Sequence, residues 1–401
     1  MHKKTLDHLL PDGLDGIPVL VRADLNVPLD GDRVTDDTRV RASLPTLEAL
    51  SEAGARILLL SHLGRPKGGP DAAFTLKPVA RLLDELLEGR VVFADASTGA
   101  SVAAAARELA PGRVLLLENT RVEPGETSGS PELSAEWAAL AAHFVNDAFG
   151  SAHRAHASTT GVAEAIRNKG GMAVAGRLMA KELDFLGKAL GDPRRPFLAI
   201  LGGAKISGKI DVIEALLPRV ERLLVGGAMA NTFFLALGLP VGRSLVEHDR
   251  LDVARDLLAR AGDRLMLPVD CVVVGRIEAG ATPRVVARDD VGPEDIIADI
   301  GPATRAAFAA AVKDARTVIW NGPMGVFEVP ELREGTVAVA RAVAEATDRG
   351  ALTVVGGGDS AAAAEAAGVT GRLSHVSTGG GASLEFLAGV ELPGVAALSD
   401  I

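Results

Sequence analysis

The chain has 401 residues, 48% of them hydrophobic, which is enough for two domains of about 200 residues that each have a core. Its 52 acidic and 42 basic residues give a net charge of −10, which argues against a general binder of nucleic acids or anionic membranes. The single cysteine, Cys271, excludes an intrachain disulfide and a multi-cysteine zinc site, and its apolar neighbours favour a core position.

The start of the chain, MHKKTLDHLLPDG, lacks the apolar segment of a secretion signal. No stretch approaches the roughly 18 uninterrupted apolar residues of a membrane span. We therefore expect a cytoplasmic protein without a membrane or nucleic-acid partner, and we take a monomer as the expected state.

Short strand-like runs alternate with helical segments along the whole chain. The runs cover residues 17–23, 56–61, 90–94, 113–118 and 144–148, and then 197–201, 222–225, 269–274, 317–320 and 351–355. Apolar runs separated by amphipathic helices, such as 249–261 and 333–347, predict parallel sheets covered on both faces. The predicted fold is α/β, with two doubly wound parallel sheets. The boundary falls in 170–196, where a helical piece over 178–190 ends in GDPRRP.

Polar residues follow the strands of the first half at the edge where ligands of open α/β sheets bind. They are Arg22, Asp24 and Asn26 in VRADLNVP, His62 and Arg65 in SHLGRP, Arg121 in LLLENTRVEPGE, and Arg154 in FVNDAFGSAHRAH. With Arg39, the arginines suit a small polyanion, because each guanidinium presents a planar fork to phosphate or carboxylate oxygens. A solvated surface charge remains the alternative for each arginine taken alone.

The second half contains a corner at ALTVVGGGDSAAAAEAAG, where a buried strand breaks at three glycines and restarts as an alanine-rich helix. Without Cβ atoms the glycines admit a phosphate close to the backbone, and the helix N–H groups from Ser360 onward point partial positive charge outward. Asp359 at the cap position can bond those N–H groups or bind a metal carried by the phosphates. An ordinary turn capped by Asp359 is the alternative.

Two further segments of the second half carry candidate ligand groups. Lys205 and Lys209 in LGGAKISGKI are four residues apart, so both can reach one phosphate chain, although a solvated lysine pair fits the same spacing. Asn321 and Glu328 lie in NGPMGVFE, where Glu328 suits a ribose hydroxyl or a plain surface. The chain lacks the Gly-x-x-x-x-Gly-Lys-Ser/Thr loop and the protein-kinase signature set.

Taken together, these segments resemble the phosphoglycerate kinase family. RADLNVP, SHLGRP, FVNDAFGSAHRAHAS, GGAKISGKI, NGPMGVFE, GGGDS and STGGGASLEFL occur in that family's order and spacing over nearly the whole chain. The resemblance implies two Rossmann-like lobes joined by a hinge. Residues 1–170 would hold 3-phosphoglycerate, 171–195 would form the hinge helix, 196–379 would hold ADP or ATP with Mg²⁺, and residues from about 380 to 401 would pack back on the first lobe.

The resemblance also implies roles for individual residues. The phosphoglycerate site would comprise Arg22, Asp24, Asn26, Arg39, His62, Arg65, Arg121 and Arg154. Arg39 would reach the moving phosphoryl group. The nucleotide side would comprise Lys205, which follows the transferred phosphate, Lys209, Asn321, Glu328 at the ribose, Gly357, Gly358 and Ser360 at the phosphates, Asp359 as magnesium ligand, and Gly380 at a second glycine-lined helix start near the transfer point.

The chain departs from the family pattern at two positions. Gly208 stands where the family often has an acidic residue. The family also often has a glycine near Ile297, in the segment DIIADIGP, that would flank the adenine, and the departure here leaves the shape of the base pocket open.

Two other function classes remain in view. A non-catalytic phosphate-binding protein would lack Lys205, Arg39 or Asp359, all of which are present. A dehydrogenase would show Gly-x-Gly-x-x-Gly soon after the first strand, where RADLNVP stands instead.

The reaction implied is reversible transfer of a phosphoryl group between 1,3-bisphosphoglycerate and ADP, giving 3-phosphoglycerate and ATP. The acceptor carboxylate is already ionised at pH 7, so the reaction needs no general base. The absence of a nucleophile–base constellation in the motifs agrees with this requirement.

Overall fold

The computed structural model of the chain describes residues 3–67, 69 and 71–401. Met1 and His2, which open the segment tested above for a secretion signal, lie outside the described residues. The chain forms two compact units: the first runs through Asp184 and also includes Glu391–Ile401, and the second is Phe185–Val390. No helix among the described residues combines the length and the apolar character needed to cross a bilayer.

The first unit alternates strands and helices. Its elements are β1 (Pro18–Ala23), β2 (Leu29–Asp30), β3 (Arg33–Val34), α1 (Thr38–Glu52), β4 (Arg56–Leu60), α2 (Lys77–Leu86), β5 (Val91–Phe93), α3 (Ala100–Glu108), β6 (Val114–Leu116), α4 (Pro131–Ala139), β7 (His143–Asp147), α5 (Val162–Asn168), β8 (Ala173–Ala175) and α6 (Arg177–Gly191). Six of the strands form a parallel sheet in the order β5-β6-β4-β1-β7-β8.

The sheet of the first unit is buried on both faces, which explains the continuous apolar runs of its strands. Val19, Leu20 and Val21 of β1 are fully buried, as are Leu58 and Leu59 of the neighbouring β4. Because the strands are parallel, the segments that follow β1, β4, β6 and β7 all leave the sheet at one edge. The polar motifs of the first half lie in these segments.

The second unit repeats this plan and adds a small sheet. Its elements are β9 (Phe197–Leu201), α7 (Ile210–Leu216), β10 (Arg222–Val225), α8 (Met229–Ala236), α9 (Leu251–Ala261), β11 (Leu265–Met266), β12 (Asp270–Val274), β13 (Arg284–Ala287), β14 (Ile296–Ile300), α10 (Pro302–Lys313), β15 (Thr317–Asn321), α11 (Glu334–Asp348), β16 (Leu352–Gly356), α12 (Gly358–Ala366), β17 (His375–Val376) and α13 (Gly381–Leu387). The parallel sheet has the order β11-β10-β9-β15-β16-β17.

The run 269–274 was expected in the parallel sheet, and this expectation was wrong. It forms β12, the central strand of the antiparallel sheet β13-β12-β14. Cys271 and Val273 pack into one apolar cluster, and Val272 and Val274 pack into another. A strand buried on both faces reads as a continuous apolar run whatever its pairing, so the sequence pattern does not distinguish the two sheets.

The ends of the units differ in detail from the predicted boundaries. Residues 173–175, placed in the hinge segment, form β8 of the first sheet, and the division between units falls inside α6, after Asp184. The return to the first unit begins at Glu391 rather than near residue 380, because α13 packs against α7 of the second unit. The last helix, α14 (Pro393–Ala396), belongs to the first unit, where the N–H of Gly394 donates to the carbonyl oxygen of Ala152.

Candidate active site

Arg22 and His62 lie side by side at the ligand edge of the sheet in the first unit. Arg22 is the penultimate residue of β1 and is 1% exposed, and His62 follows β4 and is 5% exposed. Arg22 Nη2 donates to His62 Nδ1 at 3.0 Å, Nη1 donates to the carbonyl oxygen of Ala23, and Nε donates to Ser158 Oγ at 2.9 Å. The protein itself therefore fixes the orientation of both rigid, planar groups.

Arg39, Asp24 and Asn26 form a second contact group beside them. Arg39 Nη1 lies 3.0 Å from Asp24 Oδ2 and 3.1 Å from Oδ1, and it donates to the carbonyl oxygen of Asn26 at 3.3 Å. Asn26 Oδ1 accepts from the N–H of Gly64 at 2.8 Å. The Arg39 side chain is 35% exposed. These bonds connect the start of α1 to the loops after β1 and β4, and they leave part of the Arg39 guanidinium open to a ligand.

Arg121 lies where the loops after β4 and β6 meet. Its Nη1 donates to the carbonyl oxygen of Gly64 at 2.6 Å, while its buried Nε has no hydrogen-bond partner in the part of the chain that the structure describes. Burial, followed by the charge of Arg65, lowers the pKa of Arg121, and Arg154 contributes to the same shift. Arg65 and Arg154 are both exposed. The structure thus brings these three arginines together, and an anion would supply the missing acceptor.

Burial and the positive charge of the arginines lower the pKa values of two histidines, His62 and His156. Burial, followed by the charges of Arg22 and Arg121, places the pKa of His62 well below its ordinary value of 6.5. Burial and the same two arginines lower the pKa of His156 to about 4. Both rings are neutral at pH 7, and a bound anion would relieve the repulsion among the cations.

The glycine-rich segments of the second unit line a cavity of about 360 Å³. Among the residues singled out in the sequence, its walls include Lys205, Gly208, Lys209, Asn321, 357–360 and Gly380. The segments that follow β9, β15 and β16 all reach this cavity, because the three strands are parallel neighbours that end at one edge. Lysines, glycine backbone and one carboxylate therefore share a space of the size that a phosphate chain needs.

Lys209 is the more constrained of the two lysines. Its Nζ donates to the carbonyl oxygen of Asn321 at 2.9 Å and also to Asn321 Oδ1, while Asn321 Nδ2 donates to the carbonyl oxygen of Gly356 at 2.8 Å. Burial lowers the pKa of Lys209 from 10.5 to about 8, against the opposing charge of Asp359. Lys205 is exposed at the same cavity.

The glycine corner differs from the expected cap. Gly357, with φ of 93°, is the N-cap residue of α12, and Asp359 is the second residue of the helix, exposed and without a capping bond. The cap needs a left-handed backbone, which glycine adopts without strain, so the Asp359 carboxylate stays exposed at the cavity. Ser360 is buried, and its Oγ accepts from the N–H of Gly322 at 2.5 Å. Its side chain therefore holds the neighbouring loop in place.

A second glycine-lined helix start lies beside the first. Gly380, with φ of 51°, is the N-cap residue of α13. The buried hydroxyls of Ser377 and Ser383 lie 2.6 Å apart, and Ser377 Oγ accepts from the N–H of Gly379 at 3.1 Å. These bonds hold the 377–383 segment in place at the edge of the cavity.

An apolar cavity of about 310 Å³ adjoins the phosphate-sized one and shares Gly203, Pro323 and Asp359 with it. Its walls include Ile296, Ile297, Val326 and the exposed Glu328. Such a cavity suits a flat apolar base, with a carboxylate on the wall for a hydroxyl group. Ile297 belongs to the wall, so its side chain contributes to the shape of the base-sized cavity.

Sequence reasoning missed several buried polar residues of these sites. Glu126 and Ser158 in the first unit are 1% and 0% exposed, and Ser158 contacts Arg22. In the second unit Asp299 lines the apolar cavity, and burial raises its pKa to about 7. Glu126 and Ser158 lie within quoted motifs, but no spacing rule shows which carboxylate or hydroxyl becomes buried. Cys271 also lines this cavity, and burial raises the pKa of its thiol to about 12, as befits an inert core thiol.

The donor set fits a metal ion that arrives with its ligand. Among residues 3–67, 69 and 71–401, no cluster of three or more His, Cys, Asp or Glu side chains could hold an ion by itself. The phosphate-sized cavity has one carboxylate, that of Asp359. Mg²⁺ commonly keeps several waters and binds one or two carboxylates together with substrate phosphates, which is the arrangement that this wall allows.

Two α/β units, one with arginines at a strand edge and one with lysines at glycine-lined helix starts, define a class of protein that handles phosphorylated ligands without a phosphate-binding loop. The family model described as "Phosphoglycerate kinase" matches residues 12–390, and the chain belongs to that family.

Relatives and solved structures agree with this assignment. The chain is 54% identical over 406 residues to the phosphoglycerate kinase of Chloroflexus aurantiacus and 52% identical over 404 residues to that of Chlorobaculum tepidum, with 100% of each chain covered. Phosphoglycerate kinase from Coxiella burnetii superimposes with a TM-score of 0.85 at 41% identity, and that from Pyrococcus horikoshii OT3 with 0.84 at 32%. Each comparison covers 96% of both chains. The predicted family and fold class are therefore confirmed.

Proposed function

We propose that the protein catalyses reversible phosphoryl transfer between 1,3-bisphosphoglycerate and ADP, giving 3-phosphoglycerate and ATP in glycolysis. The observation that carries this proposal is the family match over residues 12–390, with relatives above 50% identity along the entire chain. The contents of the two units support it, because one concentrates arginines and the other combines a base-sized and a phosphate-sized cavity.

In the first unit, the phosphoglycerate ligand would be held by the cations at the strand edge. Arg65, Arg121 and Arg154 present guanidinium groups to its oxygens, and Arg121 Nε gains the acceptor it lacks. Asp24 and Asn26 fix Arg39, which we assign to the moving phosphoryl group. Each charge-assisted bond to an oxyanion is worth about 1.5–3 kcal/mol, so several of them give specificity for a ligand with two anionic groups.

In the second unit, the nucleotide would place its base in the apolar cavity and its phosphates at the glycine corners. Glu328 lies on the wall of the first cavity for the ribose, and Lys205 and Lys209 line the second. The N–H groups from Gly358 onward and at Gly380 supply partial positive charge. Mg²⁺, held by the nucleotide phosphates and Asp359, would neutralise charge on the phosphate oxygens when bound.

The chemistry then needs no proton transfer by the protein. The attacking carboxylate is ionised at pH 7, and the two buried histidines of the first unit have pKa values below their ordinary range, so they are neutral donors rather than acids. The remaining task is to hold two anions in line and to stabilise charge on the transferred oxygens, for which Arg39, Lys205 and helix N–H groups are suited.

We further propose that residues 170–196 and the return segment near Ser377 act as hinges, so that binding of both ligands drives closure. Solution scattering of the ternary complex should show a smaller radius of gyration than the free protein. A radius unchanged by both ligands contradicts the hinge. We also propose that the protein is cytoplasmic and monomeric. Sedimentation at several protein concentrations tests the monomeric state.

The activity itself is tested by a coupled assay of ATP formation from 1,3-bisphosphoglycerate and ADP. We expect turnover by the wild-type protein that is largely lost in Lys205→Ala. Lys313→Ala, which removes an exposed lysine at the end of α10, is the matched control and should keep wild-type turnover. Absence of ATP formation by the folded wild-type protein would refute the proposed function.

A further inference from the structure

A continuous chain of hydrogen bonds runs through the buried part of the first unit, from Glu126 through Ser158 and Arg22 to His62. The four side chains are between 0% and 5% exposed. They come from the loop after Arg121, the turn Ala157–Gly161, β1 and the segment after β4. Only the two inner members of the anion site, Arg22 and His62, were recognised from the sequence.

The direction of each hydrogen bond in this chain is determined by its donors. Ser158 Oγ lies 2.5 Å from Glu126 Oε1, and the Ser158 N–H donates to Glu126 Oε2 at 2.9 Å. An ionised carboxylate only accepts, so the hydroxyl hydrogen points to Glu126 and Ser158 Oγ accepts from Arg22 Nε at 2.9 Å. Ser158, which is held by two hydrogen bonds to Glu126, therefore fixes the position of Arg22 Nε.

The same logic fixes the tautomer of His62. A guanidinium has donors and no acceptor, so Arg22 Nη2, 3.0 Å from His62 Nδ1, must donate to it. The ring is neutral, because burial and the nearby arginines hold its pKa well below 6.5. The single ring proton of His62 must therefore reside on Nε2, and His62 can only offer Nε2–H as a donor.

Glu126 also offsets the buried charge of Arg22. Burial lowers the pKa of Arg22, and the carboxylate of Glu126 is the largest opposing influence, followed by that of Asp24. Asp24 is in addition paired with Arg39, whereas Glu126 has both oxygens on Ser158. Removing the charge of Glu126 would leave Arg22 buried among cations with less compensation, and its side chain would be free to move away from His62.

We propose that Glu126 and Ser158 are positioning residues, which hold Arg22 against His62 Nδ1 so that His62 presents Nε2–H to an oxyanion bound at the arginine cluster. The oxyanion is the carboxylate or phosphate of the phosphoglycerate ligand, and this part rests on the proposed function. The tautomer of His62 does not rest on it, because the hydrogen-bond chain exists within the ligand-free unit.

The test compares Glu126→Gln and Ser158→Ala with Glu123→Gln. Glu123 lies three residues from Glu126 and accepts from the hydroxyls of Ser97 and Thr98, which are outside this hydrogen-bond chain. Glu123→Gln is therefore a matched loss of one carboxylate in the same loop. Nitrogen-15 NMR of the histidine rings in the ligand-free proteins should show the Nε2–H form of His62 in wild type and Glu123→Gln. It should show mixed tautomers in Glu126→Gln and Ser158→Ala.

Kinetics supply the second measurement. We expect the KM for 3-phosphoglycerate to rise about tenfold or more in Glu126→Gln and in Ser158→Ala, because each variant loses one well-oriented charge-assisted bond to the ligand. The KM for ATP should stay within about twofold of wild type, since the second unit is untouched. A merely structural role would leave the tautomer unchanged, or would shift both KM values together with the melting temperature.

The wild-type spectrum decides the matter even if a variant fails to fold. An Nδ1–H or rapidly exchanging His62 ring in the wild-type protein overturns the proposal. An unchanged tautomer together with an unchanged KM in either folded chain variant also overturns it. If the wild-type protein forms no ATP, the proposed function fails, while the tautomer measurements still confirm or overturn the positioning role.

Discussion

Nucleotide binding should be accompanied by proton uptake at Lys209. Burial holds the pKa of this lysine at about 8, and its Nζ lies in the wall of the phosphate-sized cavity, bonded to Asn321. Phosphate oxygens placed there would stabilise the ammonium and return the pKa toward 10.5. Such a return is worth up to about 3 kcal/mol.

The size of the uptake follows from the two protonation curves. At pH 8 the free protein carries about half a proton on Lys209 and the complex nearly a full one, so binding takes up about 0.5 proton. At pH 9 the difference grows to about 0.9 proton. The terminal phosphate of ADP, with an ordinary pKa of about 6, is fully ionised in this range and contributes little.

Isothermal titration calorimetry with ADP measures the uptake directly. The observed enthalpy is compared in two buffers of different ionisation enthalpy at pH 8 and pH 9, with a chelator present so that divalent cations displace no protons. Lys209→Met keeps most of the length of the side chain and removes the titrating group, so it should bind ADP more weakly and without buffer dependence. Lys205→Met, at the same cavity, should retain the uptake.

Two results would refute this reasoning. The first is a wild-type enthalpy at pH 9 that is the same in both buffers. The second is equal proton uptake in wild type and Lys209→Met, which would assign the proton to another group. In either case the lowered pKa of the buried lysine would not be coupled to phosphate binding.

Three further predictions concern catalysis and stability. Arg39→Ala should lower kcat about 10³-fold with a much smaller change in KM. Arg41 is exposed on the same helix, so Arg41→Ala should match wild type in steady-state assays. Unchanged turnover in Arg39→Ala would remove the role assigned to Arg39. Gly357→Ala should lower the free energy of unfolding by about 1–2 kcal/mol, because φ at this residue is 93° and the added Cβ would lie 3.0 Å from Asn321 Nδ2. The Cβ added in Gly358→Ala would meet open space, so this variant should lower turnover without loss of stability in urea unfolding. Burial raises the pKa of Asp147 from 3.8 to about 6, so between these two pH values the folded protein keeps a proton that the unfolded chain has lost. Stability from this group should therefore rise by about 2 kcal/mol as the pH falls from 7 to 4. Denaturation curves of Asp147→Asn should lack this part of the pH dependence, and parallel pH profiles for both proteins would contradict it.

Much of the site could be predicted because its residues follow strands. Parallel strands end at one edge of a sheet, so local patterns around Arg22, His62 and Arg121 were enough to predict that they converge. The three glycines of 356–358 likewise indicate a backbone corner without knowledge of any distant residue. The family resemblance rested on the same motifs, and the match over residues 12–390 confirms it.

Other features depend on pairings that a local pattern does not encode. Ser158 meets Arg22 across 136 residues of sequence, and nothing in HRAHAS distinguishes it from an exposed serine. β12 is as apolar as a strand of the parallel sheet, because clusters cover both of its faces. The N-cap residue of α12 is Gly357 rather than Asp359, because the backbone dihedrals of Gly357 are set by the packing of the corner.

The sequence by itself determined the α/β class, the family and the local chemistry of each motif, because apolar runs, glycines and charged residues act through their immediate neighbours. Only the tertiary structure decided which polar groups become buried and which residues they contact. Burial and long-range contact set the tautomer of His62 and the pKa of Lys209, and these depend on chain segments that are brought together only by folding.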